Sequence, residues 1–294
     1  MKMRKALALG VLGALTVGTL GLVGCGSSTL ATTGEATSTG SAVPVLSGSL
    51  TVAGSDTMVN MAQAWAEAFM GENPGVQIAV KGGGSGTGIA ALINGTVDFA
   101  DASREVKPEE ITQAQGKGIE PVATQVARDG VAIIVNPANK VENVTLDQLG
   151  KIYVGTITNW KDVGGANAPI TLVSRDPSSG TYEFMTTKAL NGGKFATSAK
   201  LLGSTQAVVD EVKADPNAIG YVGVGYESTD IKVIGVDGIK ASVATVKDET
   251  YPLWRYLFMY SNGQPKDLAK AYIDWILSPA GQQVVTDQGF VTLQ

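Results

Sequence analysis

The 294-residue chain contains no histidine and one cysteine, Cys25. The first absence removes Ser-His-Asp catalysis and histidine-ligated zinc. The second leaves no partner for an intramolecular disulfide and, with Cys25 so near the N-terminus, no thiolate chemistry in the globular part. Cations are also scarce, 22 Lys and Arg against 27 Asp and Glu, for a formal net charge of −5. Three of them, Lys2, Arg4 and Lys5, lie in the first five residues, so beyond Gly24 the balance is 19 against 27, net −8. A chain of that sign is a poor match for nucleic acid. It can hold an anion only through local donors and a buried arginine.

Long hydrophobic runs are missing too. After its three cations the N-terminus is apolar and small up to Leu22-Val23-Gly24-Cys25, then turns polar. That is a bacterial export signal over residues 1–24 ending in a lipobox, too short for a membrane anchor. The Cys25 thiol is expected to carry a diacylglyceryl group that holds the protein at the outer face of the cytoplasmic membrane. Residues 25–48 are mostly Ser, Thr, Gly and Ala and read as a flexible tether.

From Ser49 onward, strand-like and helix-like segments alternate. Leu50 to Ala53, Gln77 to Val80 and Val97 to Ala100 read as strands, with helices expected over Val59 to Met70 and Gly88 to Asn94. The continuous apolar run Val131 to Val135 suits a buried strand, as do Ile170 to Val173, Ile219 to Gly223 and Trp254 to Tyr260. Further helices are expected at Leu146 to Tyr153, Thr181 to Leu190, Val208 to Ala214, Lys266 to Leu277 and Ser278 to Gln288. The pattern is α/β, and the length favours two lobes. Crossings near Arg128-Asp129-Gly130 and Thr250-Tyr251-Pro252 divide the chain into lobe I, 49–129 with 251–294, and lobe II, 130–250.

Three segments share one design. Gly54-Ser55-Asp56-Thr57, Gly84-Ser85-Gly86-Thr87-Gly88 and Arg175-Asp176-Pro177-Ser178-Ser179-Gly180-Thr181 each place hydroxyls and flexible backbone between a strand and a helix. Free amides and the positive dipole end of a helix favour an oxyanion, and Ser or Thr hydroxyls add donors that rotate to suit. Arg175 follows an apolar strand four residues before Ser179, so its planar fork and the helix start can share one tetrahedral ligand, phosphate first among them. The glycine-rich segment lacks both the Gly-Lys-Ser/Thr ending of a Walker loop and a dinucleotide fingerprint. After the third strand, Ser103 is a candidate donor, and Arg104 either pairs with a carboxylate or reaches the anion. Asp129 either steadies the crossing or accepts a proton from a hydrogen phosphate, which would exclude fully ionised sulfate. No metal or other cofactor is expected.

Taken with Val97-Asp98-Phe99-Ala100-Asp101-Ala102-Ser103-Arg104 and Ile157-Thr158-Asn159-Trp160, these segments make the chain resemble the phosphate-binding lipoproteins of Pst-type ABC importers over roughly Leu50 to Phe290. The resemblance implies a type II periplasmic-binding-protein fold, with two hinge-linked lobes, each a central mixed sheet flanked by helices. It also implies a monomer that captures inorganic phosphate and delivers it to membrane permease subunits. Phosphate donors are then implied at Ser55 or Thr57, at Ser85, and at Arg175, Ser179, Gly180 and Thr181. The best-known branch carries its proton-accepting Asp just beyond the Val97-Asp98-Phe99 element, where this chain has Ser103-Arg104. The carboxylate must come from elsewhere, Asp129 first and Asp56 behind it. A carrier of sulfate, molybdate or tungstate, an exported phosphohydrolase, and a lipoprotein that senses phosphate without transporting it are the rival readings. Replacing Cys25 with Ser should move the protein from the membrane to the soluble fraction, which detergent phase partitioning would reveal.

Overall fold

The computed structural model describes residues 46–293. The export signal, Cys25 and most of the tether lie outside the described residues. The part described is β1 (Ser47–Gly54), α1 (Val59–Glu72), β2 (Gly75–Lys81), α2 (Ser85–Ile93), β3 (Phe99–Ala102), α3 (Pro108–Gly116) and β4 (Pro121–Val135). There follow β5 (Asn143–Val144), α4 (Leu146–Tyr153), a 3-10 turn (Trp160–Val163), β6 (Thr171–Arg175), α5 (Gly180–Lys188), β7 (Lys200–Leu202) and α6 (Thr205–Ala214). The remainder is β8 (Ala218–Gly223), a 3-10 turn (Val224–Tyr226), β9 (Lys232–Val236), α7 (Val243–Lys247), β10 (Trp254–Asn262), α8 (Asp267–Leu277) and α9 (Pro279–Asp287).

The strands hydrogen-bond in the order β2-β1-β3-β10-β4-β8-β6-β7, with β9 also on β4 and β5 on β9. β1 runs parallel to β2 and β3, and β10 lies antiparallel between β3 and β4. Two halves of this sheet meet in one strand. Residues 121–130 of β4 pair with β10, and from Val131 onward the same strand pairs with β8 and β9. The two-lobe α/β architecture follows from this single change of partners.

Local sequence explains most elements. On α1, Met61, Ala62, Trp65, Ala66 and Phe69 recur near the helical period and are all buried. Val131 to Val135 is apolar at every position because both faces of that stretch are covered, each residue at 0 % exposure. Helix α3 was not expected. It buries only Ala114 and so has no apolar stripe, but Pro108, Glu109 and Glu110 in its first turn suit a helix start, and Glu110 accepts the Lys107 amide at 2.9 Å. The first ten residues of β4 were missed for a similar reason, since Gln125, Arg128 and Asp129 interrupt the apolar pattern. Strand β1 begins at Ser47, inside the stretch read as tether, because Ser47 and Gly48 pair with Gly75 and Val76 of β2.

The C-terminal helices pack back on the first half of the sheet. Trp65 Nε1 donates to the Gly281 carbonyl at 2.8 Å, Phe69 meets Tyr272 edge to face at 5.1 Å, and Gln282 Nε2 reaches the Val126 carbonyl at 3.0 Å. Truncating Trp65 to Ala would leave a large cavity and remove the hydrogen bond to the Gly281 carbonyl. A loss of about 3–5 kcal/mol is expected in urea denaturation.

Candidate anion site

The turn before α1 is fixed to β3 by the Ser55 amide, which donates to the Asp101 carbonyl at 2.8 Å, and is closed by the Met58 amide on the Ser55 carbonyl at 3.0 Å. Helix α2 starts at Ser85 after Gly84, whose φ of 96° suits glycine and few other residues. Helix α5 starts at Gly180, capped by Ser179, whose Oγ accepts the Thr181 and Tyr182 amides at 3.2 and 3.3 Å. The structure brings these three starts together. Thr57 Oγ1 lies 2.9 Å from Thr181 Oγ1, the Gly86 amide donates to the Ser178 carbonyl at 2.9 Å, and the Ser103 amide donates to Ser85 Oγ at 3.0 Å. Gly180 closes the ring: a Cβ there would stand 2.3 Å from Ser85 Oγ and 2.6 Å from Ser103 Oγ. Ser55, Thr57, Ser85, Ser103, Ser179 and Thr181 are each at most 2 % exposed.

The guanidinium that touches this cluster is that of Arg255, a residue the sequence reading did not single out. It stands on β10 and donates from Nε and Nη2 to Asp129 Oδ2 at 2.9 and 2.7 Å, from Nη1 to the Ser103 carbonyl at 3.0 Å, and from Nη2 to Thr181 Oγ1 at 3.0 Å. The signal was present: a lone arginine inside the apolar run Trp254 to Tyr260 is out of place unless it is paired. Asp129, on the neighbouring strand, is fully buried, and its Oδ1 accepts the Val224 amide at 3.1 Å. Burial pushes the Asp129 carboxyl up and the Arg255 guanidinium down, and each opposes the other's shift by its charge. Gly223 must be small, since a Cβ would sit 2.8 Å from Asp129 Oδ1 and 2.9 Å from the Thr57 methyl.

The other charged candidates have different company. Arg175 is at the expected end of β6, but Nε donates to the Leu202 carbonyl at 3.1 Å, Nη1 to Thr205 Oγ1 at 2.7 Å and Nη2 to the Gly203 carbonyl at 3.0 Å. Its Nη1 is also 3.5 Å from Asp56 Oδ2. Arg104 is paired through both nitrogens with Glu110, at 2.8 and 2.7 Å, the carboxylate-pairing option of the two.

Neutral donors at three helix starts, gathered around one paired guanidinium in a dry site between the two halves of a sheet, define a two-lobe anion-binding protein. Residues 31–280 match the family model described as a PBP superfamily domain. The chain is 38 % identical over 248 residues to the phosphate-binding protein PstS of Bacillus subtilis, covering 83 % of this chain and 81 % of that one. It is 33 % identical over 272 residues to PstS of Pseudomonas aeruginosa, covering 84 % of each. Among solved structures, a Clostridium perfringens protein with bound phosphate, assigned as a phosphate ABC transporter substrate-binding protein, superposes with a TM-score of 0.79 at 31 % identity, over 84 % of this chain and 100 % of that one. The chain belongs to the PBP superfamily and, within it, to the PstS phosphate-binding protein family.

One acid beside the site, Asp101, makes no ion pair among the described residues. Asp101 is 2 % exposed, its Oδ1 has no hydrogen-bond partner, and burial pushes its carboxyl from 3.8 up to about 8. Between those values the folded protein keeps this proton while the unfolded chain releases it, so Asp101 favours folding below about pH 4 and progressively loses that effect up to about pH 8. Asp101→Asn retains the shape without the titration. Its stability relative to wild type should rise across that window, by an amount on the order of a few kcal/mol, in urea midpoints taken at a series of pH values.

Proposed function

We propose that the protein is an extracytoplasmic, lipid-anchored, monomeric binding protein that closes two lobes on inorganic phosphate and delivers it to the permease of an ABC importer. The observation that carries this reading is the meeting of Thr57, Ser85, Ser103, Ser179 and Thr181 with the Arg255 guanidinium in one dry cluster. Helix starts and hydroxyls can follow a tetrahedral oxyanion on all sides, and a single guanidinium balances part of its charge. The names of the PstS relatives, and the phosphate bound to the Clostridium perfringens protein, support phosphate as the anion.

In this reading lobe I is the part before Gly130 together with residues 251–294, and lobe II is residues 130–250, divided where β4 changes partners. Ser55, Thr57, Ser85 and Ser103 grip from lobe I, and Ser179, Gly180 and Thr181 from lobe II. An anion held by both lobes favours the closed form by the difference between its affinities for the closed and open states. Asp129 serves as the proton acceptor: Oδ2 is taken by Arg255, while Oδ1 retains capacity for a hydrogen phosphate hydroxyl. The protein binds its ligand and does not turn it over.

Isothermal titration of ligand-stripped protein should give tight one-to-one phosphate binding with no response to sulfate, and a chromogenic phosphate ester should stay intact. Arg255→Ala should cost about 2–5 kcal/mol of phosphate affinity, and Asp129→Asn should let sulfate bind. Silence toward phosphate, or a preference for sulfate, overturns the assignment of the ligand.

A further inference from the structure

Asp56 stands between two residues of the hydroxyl cluster, yet none of its own polar contacts is with that cluster. Its Oδ2 accepts the Thr205 amide at 2.5 Å and lies 3.5 Å from Arg175 Nη1, and its carbonyl accepts the Tyr226 hydroxyl at 2.9 Å. All three partners lie in 130–250, whereas Asp56 is fixed to the other half by the adjoining bond from Ser55 to Asp101. The receiving side is assembled by contacts of its own. Arg175 is held by the Leu202 and Gly203 carbonyls and Thr205 Oγ1, and its amide donates to the Tyr221 hydroxyl at 3.1 Å. The Thr205 amide opens α6, where a carboxylate meets the positive end of the helix dipole. Arg175 is 1 % exposed and Asp56 14 %, so the pair is shielded from most solvent screening.

We propose that Asp56 and its socket of Arg175, the Thr205 amide and the Tyr226 hydroxyl form a closure latch, which sets how long the closed form lasts and not which anion it holds. The proposal rests on the two-lobe phosphate reading above. Contacts made only when the lobes meet stabilise the closed state by the same amount for any anion inside it. Asp56 is then a positioning residue, and the expected alternative carboxylate for the ligand proton is reduced to Asp129.

The test compares full-length wild type with Asp56→Ala and Tyr226→Phe. It reads hydrogen exchange at the Thr205 amide, with and without phosphate, the phosphate dissociation rate, and the ratio of phosphate to sulfate affinity. In Asp56→Ala the Thr205 amide should exchange at least about tenfold faster and phosphate should leave about tenfold faster, the loss of roughly one charged contact. The association rate and the phosphate-to-sulfate ratio should stay as in wild type. Tyr226→Phe should shift exchange and dissociation in the same direction by less, and it decides the matter if Asp56→Ala does not fold. Unchanged exchange and dissociation overturn the latch, and so does a changed phosphate-to-sulfate ratio, which would place Asp56 on the ligand. If wild type ignores phosphate, the functional reading fails on its own, while Thr205 protection that disappears in Asp56→Ala still supports the latch.

Discussion

The buried pair of Arg255 and Asp129 is the constraint on which the site depends. It ties β10 to β4 at the point where β4 passes from one half of the sheet to the other. Burying two charges costs several kcal/mol per ion, and their attraction offsets this only when the remaining donors and acceptors are also satisfied. Here they are: the Ser103 carbonyl, Thr181 Oγ1 and the Val224 amide complete the network. The same bonds that make the charges tolerable also fix where the loop after β3 and the start of α5 sit relative to each other.

An acidic chain that holds an anion has to separate local from overall charge. The cluster does this mainly with groups that carry no net charge, hydroxyls and helix-start amides, whose donors keep their strength in a dry site because little reorganisation is required of them. Among the described residues, the cation hydrogen-bonded to the cluster, Arg255, is already matched by Asp129. An arriving anion therefore meets oriented dipoles and a guanidinium whose charge is partly balanced. Such a site gains its grip from geometry more than from long-range attraction, which suits a protein whose surface repels anions overall.

Much of this was legible in the chain. The period of Met61, Trp65 and Phe69 gave α1, the run from Val131 to Val135 gave the buried half of β4, and the placement of hydroxyls after each strand gave the meeting of three helix starts. Local features decide such matters, and local features are what a sequence displays. Arg255 showed only as a lone charge in an apolar run, and its role stayed out of view because it depends on a partner 126 residues away. Arg175 illustrates the converse, since its position at the end of an apolar strand was readable, but its carbonyl partners at Leu202 and Gly203 come from the end of the three-residue β7 and the turn after it, whose path no periodic pattern records. Helix α3 shows a third case, in which capping chemistry carried the signal and hydrophobic pattern was silent.

Strand β4 is one continuous strand of 15 residues that serves both halves of the sheet. A cut after Gly130 would leave Val131 to Val135 with β8 and β9, but it would take away both β3 and residues 121–130, and β10 would become a bare edge ready to pair with another chain. Neither half is a portable module. Insertions, tags and permuted termini belong elsewhere on this molecule, and any lineage that recombined such proteins would have had to exchange them whole.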